Sequence, residues 1–463
     1  MTIKKQTILY LLPNILAIFV GLVTLPIIVK NISVNEYGDY TFITSVASLI
    51  GMFAGMGLST AFQKYLYENK IGTRYKYATL KYIYLIYAIS LLLIGILGIY
   101  IFSFFYEYPI LFYIYIFFLM FCGNIKSMSF ETLRKKTYVK HIFYFSVIEQ
   151  LIPLSLLSIC LFLNIVTIEN ILLVGMIRVL FVAFIYTYFF DIRRIKRRNT
   201  KKETMKEILK LSIPTMPAMV SNWIINLSDR LMLMSFKGSY IVGIYSVNLM
   251  MINYLNMLVV TLHNVFYPRF IKKLQGSNDD EVFLQTQKLL LLFVFFIICF
   301  VFFMKEFILI FTKEEYFTGN WIFLFFANSS FLFFATHMYQ SSLLVQNKIR
   351  FIGLTKGSAA IINVGLNFVF IPLWGIYGTA ISTMIAYMIS MILTFNLIGF
   401  NIMKKTKFLN IFVAMNIFII IFLLIFEFIL NNNYVLEISV KILLCLIVGI
   451  FVVLKIKDEK FVS

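Results

Sequence analysis

Apolar runs too long for a soluble core recur along the whole chain, and most of the charge lies in the short gaps between them. A bilayer core about 30 Å thick takes roughly 20 helical residues to cross, so runs beyond about 18 apolar residues read as transmembrane helices. A transmembrane barrel would instead show short alternating strands. Composition agrees: 61% of the residues are hydrophobic and 13% charged, with a mean hydropathy of +0.90, whereas soluble domains are about one quarter charged. The expected fold is an all-α polytopic membrane protein.

Cutting at the polar gaps gives fourteen candidate spans: 7–29, 38–62, 79–103, 109–130, 142–163, 168–190, 208–235, 240–266, 286–304, 320–344, 357–373, 376–399, 409–430 and 435–454. Merging the closest of these lowers the count to twelve, so the expectation is 12 to 14 helices. Basic loops face the cytoplasm, which tests the cut independently. With the N-terminus inside, alternate gaps hold 33 of the 41 Lys and Arg, against four outside: Lys30, Lys237, Lys305 and Lys313. Both termini are therefore expected in the cytoplasm. A net charge of +20 is then explained by inner loops, and nucleic-acid binding is not needed to account for it.

The most basic stretch, Asp191–Lys210, lies near the middle of the chain and carries nine Lys or Arg. On either side of it the sequence repeats weakly. Ile8-Leu-Tyr-Leu-Leu-Pro13 matches Ile208-Leu-Lys-Leu-Ser-Ile-Pro214, and Tyr37-Gly38-Asp39-Tyr40 matches Val242-Gly243-Ile244-Tyr245. Matches in the same orientation about 200 positions apart imply two parallel six-helix lobes. The expected organisation is an N-terminal lobe (1–190), a basic cytoplasmic linker (191–207), a C-terminal lobe (208–400) and a C-terminal helix pair (401–463).

Polar groups inside spans mark the candidate site. The seventh span carries Pro214, Pro217, Asn222, Asn226, Asp229 and Arg230. Thr215, Ala218, Asn222, Asn226 and Asp229 follow a 3,4,4,3 spacing that puts them on one helical face, and the two prolines permit a kink. A charge at the bilayer centre costs about 2.5–3.5 kcal/mol on insertion scales, so this face should look into protein or water. Arg230, near the outer end, has the alternative of extending to the headgroups. Arg178 sits mid-span, about 18 Å from either surface at 1.5 Å per residue, too deep for that escape. Glu149 in the preceding span is its candidate partner, and the pair reads either as a structural ion pair or as a cationic contact for an anionic substrate.

The remaining intramembrane groups read as structural. Lys126 is expected to extend to the cytoplasmic headgroups, and Lys441 to pair with Glu437 at i, i+4. His263 and His337 are expected as core histidines. Asn363 and Asn367 are either interhelical glue or cavity lining. Cys122, Cys160, Cys299 and Cys445 lie in apolar segments without metal or redox spacing. With no phosphate loop, metal cluster or catalytic triad in the sequence, no enzyme activity and no cofactor are expected, apart from a coupling H⁺ or Na⁺.

Several stretches resemble the polysaccharide-unit flippases, the Wzx-type branch of the multidrug/oligosaccharidyl-lipid/polysaccharide (MOP) exporter superfamily. They are Pro26–Tyr40, Gly55–Tyr65, Ile213–Arg230, Val242–Ser246, Phe266–Leu274 and Pro372–Ala380. At one family position often held by Arg this chain has Lys64 after Gln63. The resemblance implies two six-helix lobes around a cavity opened alternately to each side. Its cargo would be undecaprenyl-pyrophosphate-linked oligosaccharide for O-antigen (lipopolysaccharide), capsule or another surface polysaccharide, carried outward across the bacterial inner membrane. Partners would be bilayer lipid and the polysaccharide polymerase machinery, and Arg178, Arg230, Asn222, Asn226, Asp229 and Glu149 would line the cavity. Two relatives of the same superfamily, an ion-coupled multidrug exporter and a lipid II flippase, are the alternatives. A membrane polymerase or ligase fits less well, because no outer loop is long enough for a catalytic segment.

Overall fold

The computed structural model describes residues 3–58, 61, 73–105, 109, 111–119, 126, 139–190, 202–275, 279–346, 348–399, 406–428 and 434–457. Fourteen helices are numbered here: α1 (Ile3–Val29), α2 (Val34–Gly55), α3 (Thr73–Phe105), α4 (Val139–Phe162), α5 (Ile168–Phe190), α6 (Lys202–Ser212), α7 (Met216–Lys237), α8 (Ser239–Gln275), α9 (Asp279–Phe311), α10 (Trp321–Val345), α11 (Ile349–Trp374), α12 (Ile376–Ile398), α13 (Phe408–Phe428) and α14 (Tyr434–Lys457). Residues 111–119 are also helical. The described residues contain no strand, as expected for a chain whose backbone groups must be satisfied within each segment in lipid.

Thirteen of the expected spans overlap described helices, with ends that differ by up to nine residues and with 208–235 divided between α6 and α7, and the fourth, 109–130, is described only in part. Nine of the described helices are long and apolar enough to cross a membrane, or ten if the bent pair α6 and α7 is one span. Of the others, α2 carries Glu36, Asp39 and several Ser and Thr, and α8 carries Asn248, Asn253 and Asn256. Of the proposed linker (191–207), residues 191–201 lie outside the described set, while 202–207 belong to the amphipathic α6, which continues to Ser212.

Local chemistry sets the helix ends. Ser33 caps α2 in a reciprocal box: Ser33 Oγ accepts from the Glu36 amide (3.2 Å) and the Glu36 carboxylate accepts from the Ser33 amide (2.8 Å), satisfying two otherwise orphaned donors. Gly238 closes α7 at φ +81°, a conformation that side-chain-bearing residues rarely take, and α8 starts at the next residue.

Contacts divide the chain into two compact units, Met1–Gly243 and Ile244–Ser463. In the first, α1 packs on α4, α2 on α3 and α7, and α4 on α5. Here the two repeat glycines meet. A Cβ on Gly38 would collide with the Ser239 carbonyl, and one on Gly243 with the Val34 carbonyl. Ser239 and Val34 each lie four residues before the opposite glycine, so the contact is reciprocal, one backbone against another with no side chain between. Asp39 fixes the same crossing by accepting from Ser239 Oγ at 2.8 Å.

In the second unit α12 packs on both α10 and α11, and α9 carries α10, α13 and α14. Its core is aromatic: between α9 and α10 Phe293 stacks on Phe331 and meets Phe334 edge-on, and Phe302 lies against Phe418, Phe422 and Phe426 of α13. Asn363 and Asn367, both fully buried, bond to each other, and Asn363 donates to Thr383 of α12. They are therefore interhelical glue.

Candidate substrate site

Three charges converge inside the first unit. Glu149, the eleventh residue of α4, is 5% exposed. Its Oε1 accepts from Lys126 Nζ at 2.6 Å and from Arg178 Nη2 of α5 at 3.1 Å. Arg178 and Glu149 thus pair as the sequence suggests. Lys126 corrects its expected role: it turns to the buried carboxylate, not to the headgroups, because an ammonium gains more from an unscreened carboxylate than from the interface. One carboxylate against two cations leaves the cluster with a formal charge of +1. Both cations keep about a third of their side-chain surface exposed, 38% for Lys126 and 36% for Arg178.

A phenol pair stands beside them. Tyr40 of α2 and Tyr115 bond to each other through their hydroxyls, within electrostatic reach of Arg178. Gly175, one turn before Arg178, makes room for the Tyr115 ring, which a Cβ there would strike. Neither tyrosine is evident from sequence, since aromatic residues are abundant in every span and only packing distinguishes these two.

The polar face of α7 divides on folding. Asn222 and Asn226 are exposed, and Asn226 Nδ2 donates to the Asn222 carbonyl at 2.6 Å, whereas Asp229 is 2% exposed. Arg230 donates to Ser45 Oγ of α2 at 3.2 Å. Its side chain therefore turns inward to a buried hydroxyl and does not take the outward alternative. Pro214 sits in the short 3₁₀ turn Ile213–Thr215 and Pro217 in the first turn of α7, where the chain bends by 43°. That is the expected kink, formed where proline cannot continue the helical hydrogen bonds. Between α2, α3 and α7 lies a cavity of about 370 Å³ lined by Phe42, Val46, Ile50, Phe102 and Leu231 among others. It is almost wholly apolar, so it offers nothing to a sugar.

Of the two histidines expected within spans, His337 stacks on Phe333 at 6.2 Å between ring centroids, and the side chain of His263 lies outside the described set. Cys122 also lies outside it.

Helices of this length and composition, with paired charges held inside them, mark a multi-pass membrane protein. The chain belongs to the family described as polysaccharide biosynthesis protein, which matches residues 3–274. Among solved structures it is similar to the lipid II flippase MurJ in an inward closed conformation, with 15% identity over 96% of this chain and 97% of that one and a TM-score of 0.69. It is also similar to an inward-facing multidrug resistance MATE transporter of the MOP superfamily (13% identity, 84% and 96% covered, TM-score 0.63). A third is a MOP superfamily transporter from Pyrococcus furiosus (13%, 87% and 96%, TM-score 0.57). No curated protein matches. The chain shares the fold of these three structures.

Proposed function

We propose that this protein is a flippase that moves undecaprenyl-pyrophosphate-linked oligosaccharide repeat units from the cytoplasmic to the outer leaflet of the bacterial inner membrane by alternating access. The cargo would serve O-antigen, capsule or another surface polysaccharide. The observation that carries this reading is the net positive trio Lys126, Glu149 and Arg178, a buried carboxylate between two part-exposed cations. A diphosphate-linked glycan cannot cross lipid unaided, so a carrier needs a few cations for the diphosphate and amides for the sugar, while the polyprenyl chain stays in lipid. Arg178 and Lys126 would hold the diphosphate, Asn222 and Asn226 would bond sugar hydroxyls, and Asp229 with Arg230 would complete the lining. The two six-helix lobes (1–190 and 208–400), the linker 191–207 and the C-terminal pair 401–463 are part of this proposal, as is coupling to H⁺ or Na⁺. No enzymatic step is required of the chain.

Likeness to a lipid II flippase over almost the full length favours a second reading, with the peptidoglycan precursor as cargo. Both cargoes share the polyprenyl diphosphate and differ in the sugar. A cationic drug is disfavoured by the positive charge of the trio. Cells carrying Arg178→Ala or Arg230→Ala in place of the natural protein are expected to accumulate inward-facing lipid-linked glycan, with the variant inserted at normal abundance. The structure of the accumulated glycan separates the two cargoes. Normal transport by both variants at normal abundance overturns the reading.

A further inference from the structure

The two C-terminal helices bury opposite kinds of residue. Helix α13 buries an apolar stripe, Phe408, Ile411, Met415, Ile419, Leu423 and Phe426. Helix α14 does the reverse: Glu437 and Lys441 are 3% and 2% exposed, and Val452 is its one other fully buried side chain among the described residues. Its apolar side chains, such as Leu443, Leu446, Ile450 and Leu454, are more than half exposed.

Lys441 Nζ lies 2.6 Å from Glu437 Oε1 of its own helix and 2.7 Å from Glu306 Oε1 of α9, and 5.2 Å from the Phe426 ring centroid of α13. Lys305 Nζ of α9 approaches Glu437 at 3.9 Å. The pair expected within one helix is thus half of a four-residue cluster between two. Every fourth residue further along α14 continues the seam: Cys445 hydrogen-bonds to Cys299, and Gly449 faces the ring of Phe295.

We infer that this ionic cluster fastens α14 to α9, and with it holds the C-terminal pair as a wall of the second unit. Lipid surrounds an apolar side chain as readily as another helix does, so the apolar face of α14 gives no reason to dock. Two carboxylates and two ammonium groups exposed to lipid would be strongly unfavourable, and docking pairs all four. Glu306 is the acceptor that α9 presents, and its partner is a lysine-bearing transmembrane helix. This assignment holds whatever cargo the protein carries.

The native cysteines report the contact. The full chain, with Cys122→Ser, Cys160→Ser and a protease site placed at 401–405, is oxidised in membranes, cleaved and run without reductant. Cys299 and Cys445 are expected to join the fragments in the parent and in Lys441→Arg. Joining should fall at least fivefold in Glu306→Gln and in the triple variant Glu306→Leu, Glu437→Leu, Lys441→Leu, which keeps only the part-exposed Lys305 of the four charges. Parental cross-linking in the triple variant overturns the assignment, because packing alone then holds α14. Should the triple variant fail to accumulate, Glu306→Gln decides alone, and parental cross-linking there overturns it equally.

Discussion

Glu149 holds two cations with one oxygen, so the three side chains are not equivalent to mutation. Removing Arg178 leaves Glu149 with Lys126, whereas removing the Glu149 charge leaves two cations facing each other. Breaking a fully buried pair costs about 3–5 kcal/mol, and the partial exposure of both cations lowers that to roughly 2 kcal/mol here. Glu149→Gln is therefore expected to lower the melting temperature of the detergent-solubilised protein more than Arg178→Gln does, with the double variant close to Glu149→Gln. Equal shifts in the two single variants would contradict the shared-oxygen geometry. The Arg178–Glu149 pair was legible in the sequence because Arg178 lies too deep to reach water and the preceding span holds a single carboxylate. Lys126 was not, since its depth suits a headgroup contact equally well. Only the packing of α4 against its neighbours decides which partner it takes.

At the scale of elements, the crossing of α2 and α8 depends on two glycines that leave no room for a Cβ. Gly38→Val and Gly243→Val are each expected to cost several kcal/mol and to reduce membrane abundance severalfold, because backbone cannot move aside as a side chain can. Gly365, in the interior of α11, faces open space; Gly365→Ala should leave abundance unchanged and add about 0.5–1 kcal/mol of helix stability. Immunoblots of membranes compare the three, and loss of abundance in Gly365→Ala alone would contradict this packing. The helices themselves were visible as apolar runs, and the repeated Tyr-Gly-Asp-Tyr and Val-Gly-Ile-Tyr fragments flagged the two glycines. The spacing could not say that they meet. In α14 the i, i+4 pair Glu437 and Lys441 has the look of a solvated surface pair, and nothing in the sequence places Glu306 opposite.

For the molecule as a whole, the alternation of basic gaps predicts sidedness. In a variant freed of native cysteines, a cysteine placed at 277 should react with a membrane-impermeant thiol reagent only after the cells are opened, and one at 318 in intact cells. The reverse pattern would invert the topology and with it the direction of transport. The central claim is that a cationic trio in the membrane carries a lipid-linked diphosphate glycan. Its most direct test is reconstitution of the purified protein into liposomes loaded with undecaprenyl-pyrophosphate-linked oligosaccharide, with a glycan-cleaving enzyme added outside to read the outward-facing fraction over time. The natural protein should expose the inner pool, while Lys126→Ala/Arg178→Ala, reconstituted at equal density, should slow that exposure at least tenfold, to near the protein-free rate. Equal rates for the natural protein and the double variant would contradict the claim.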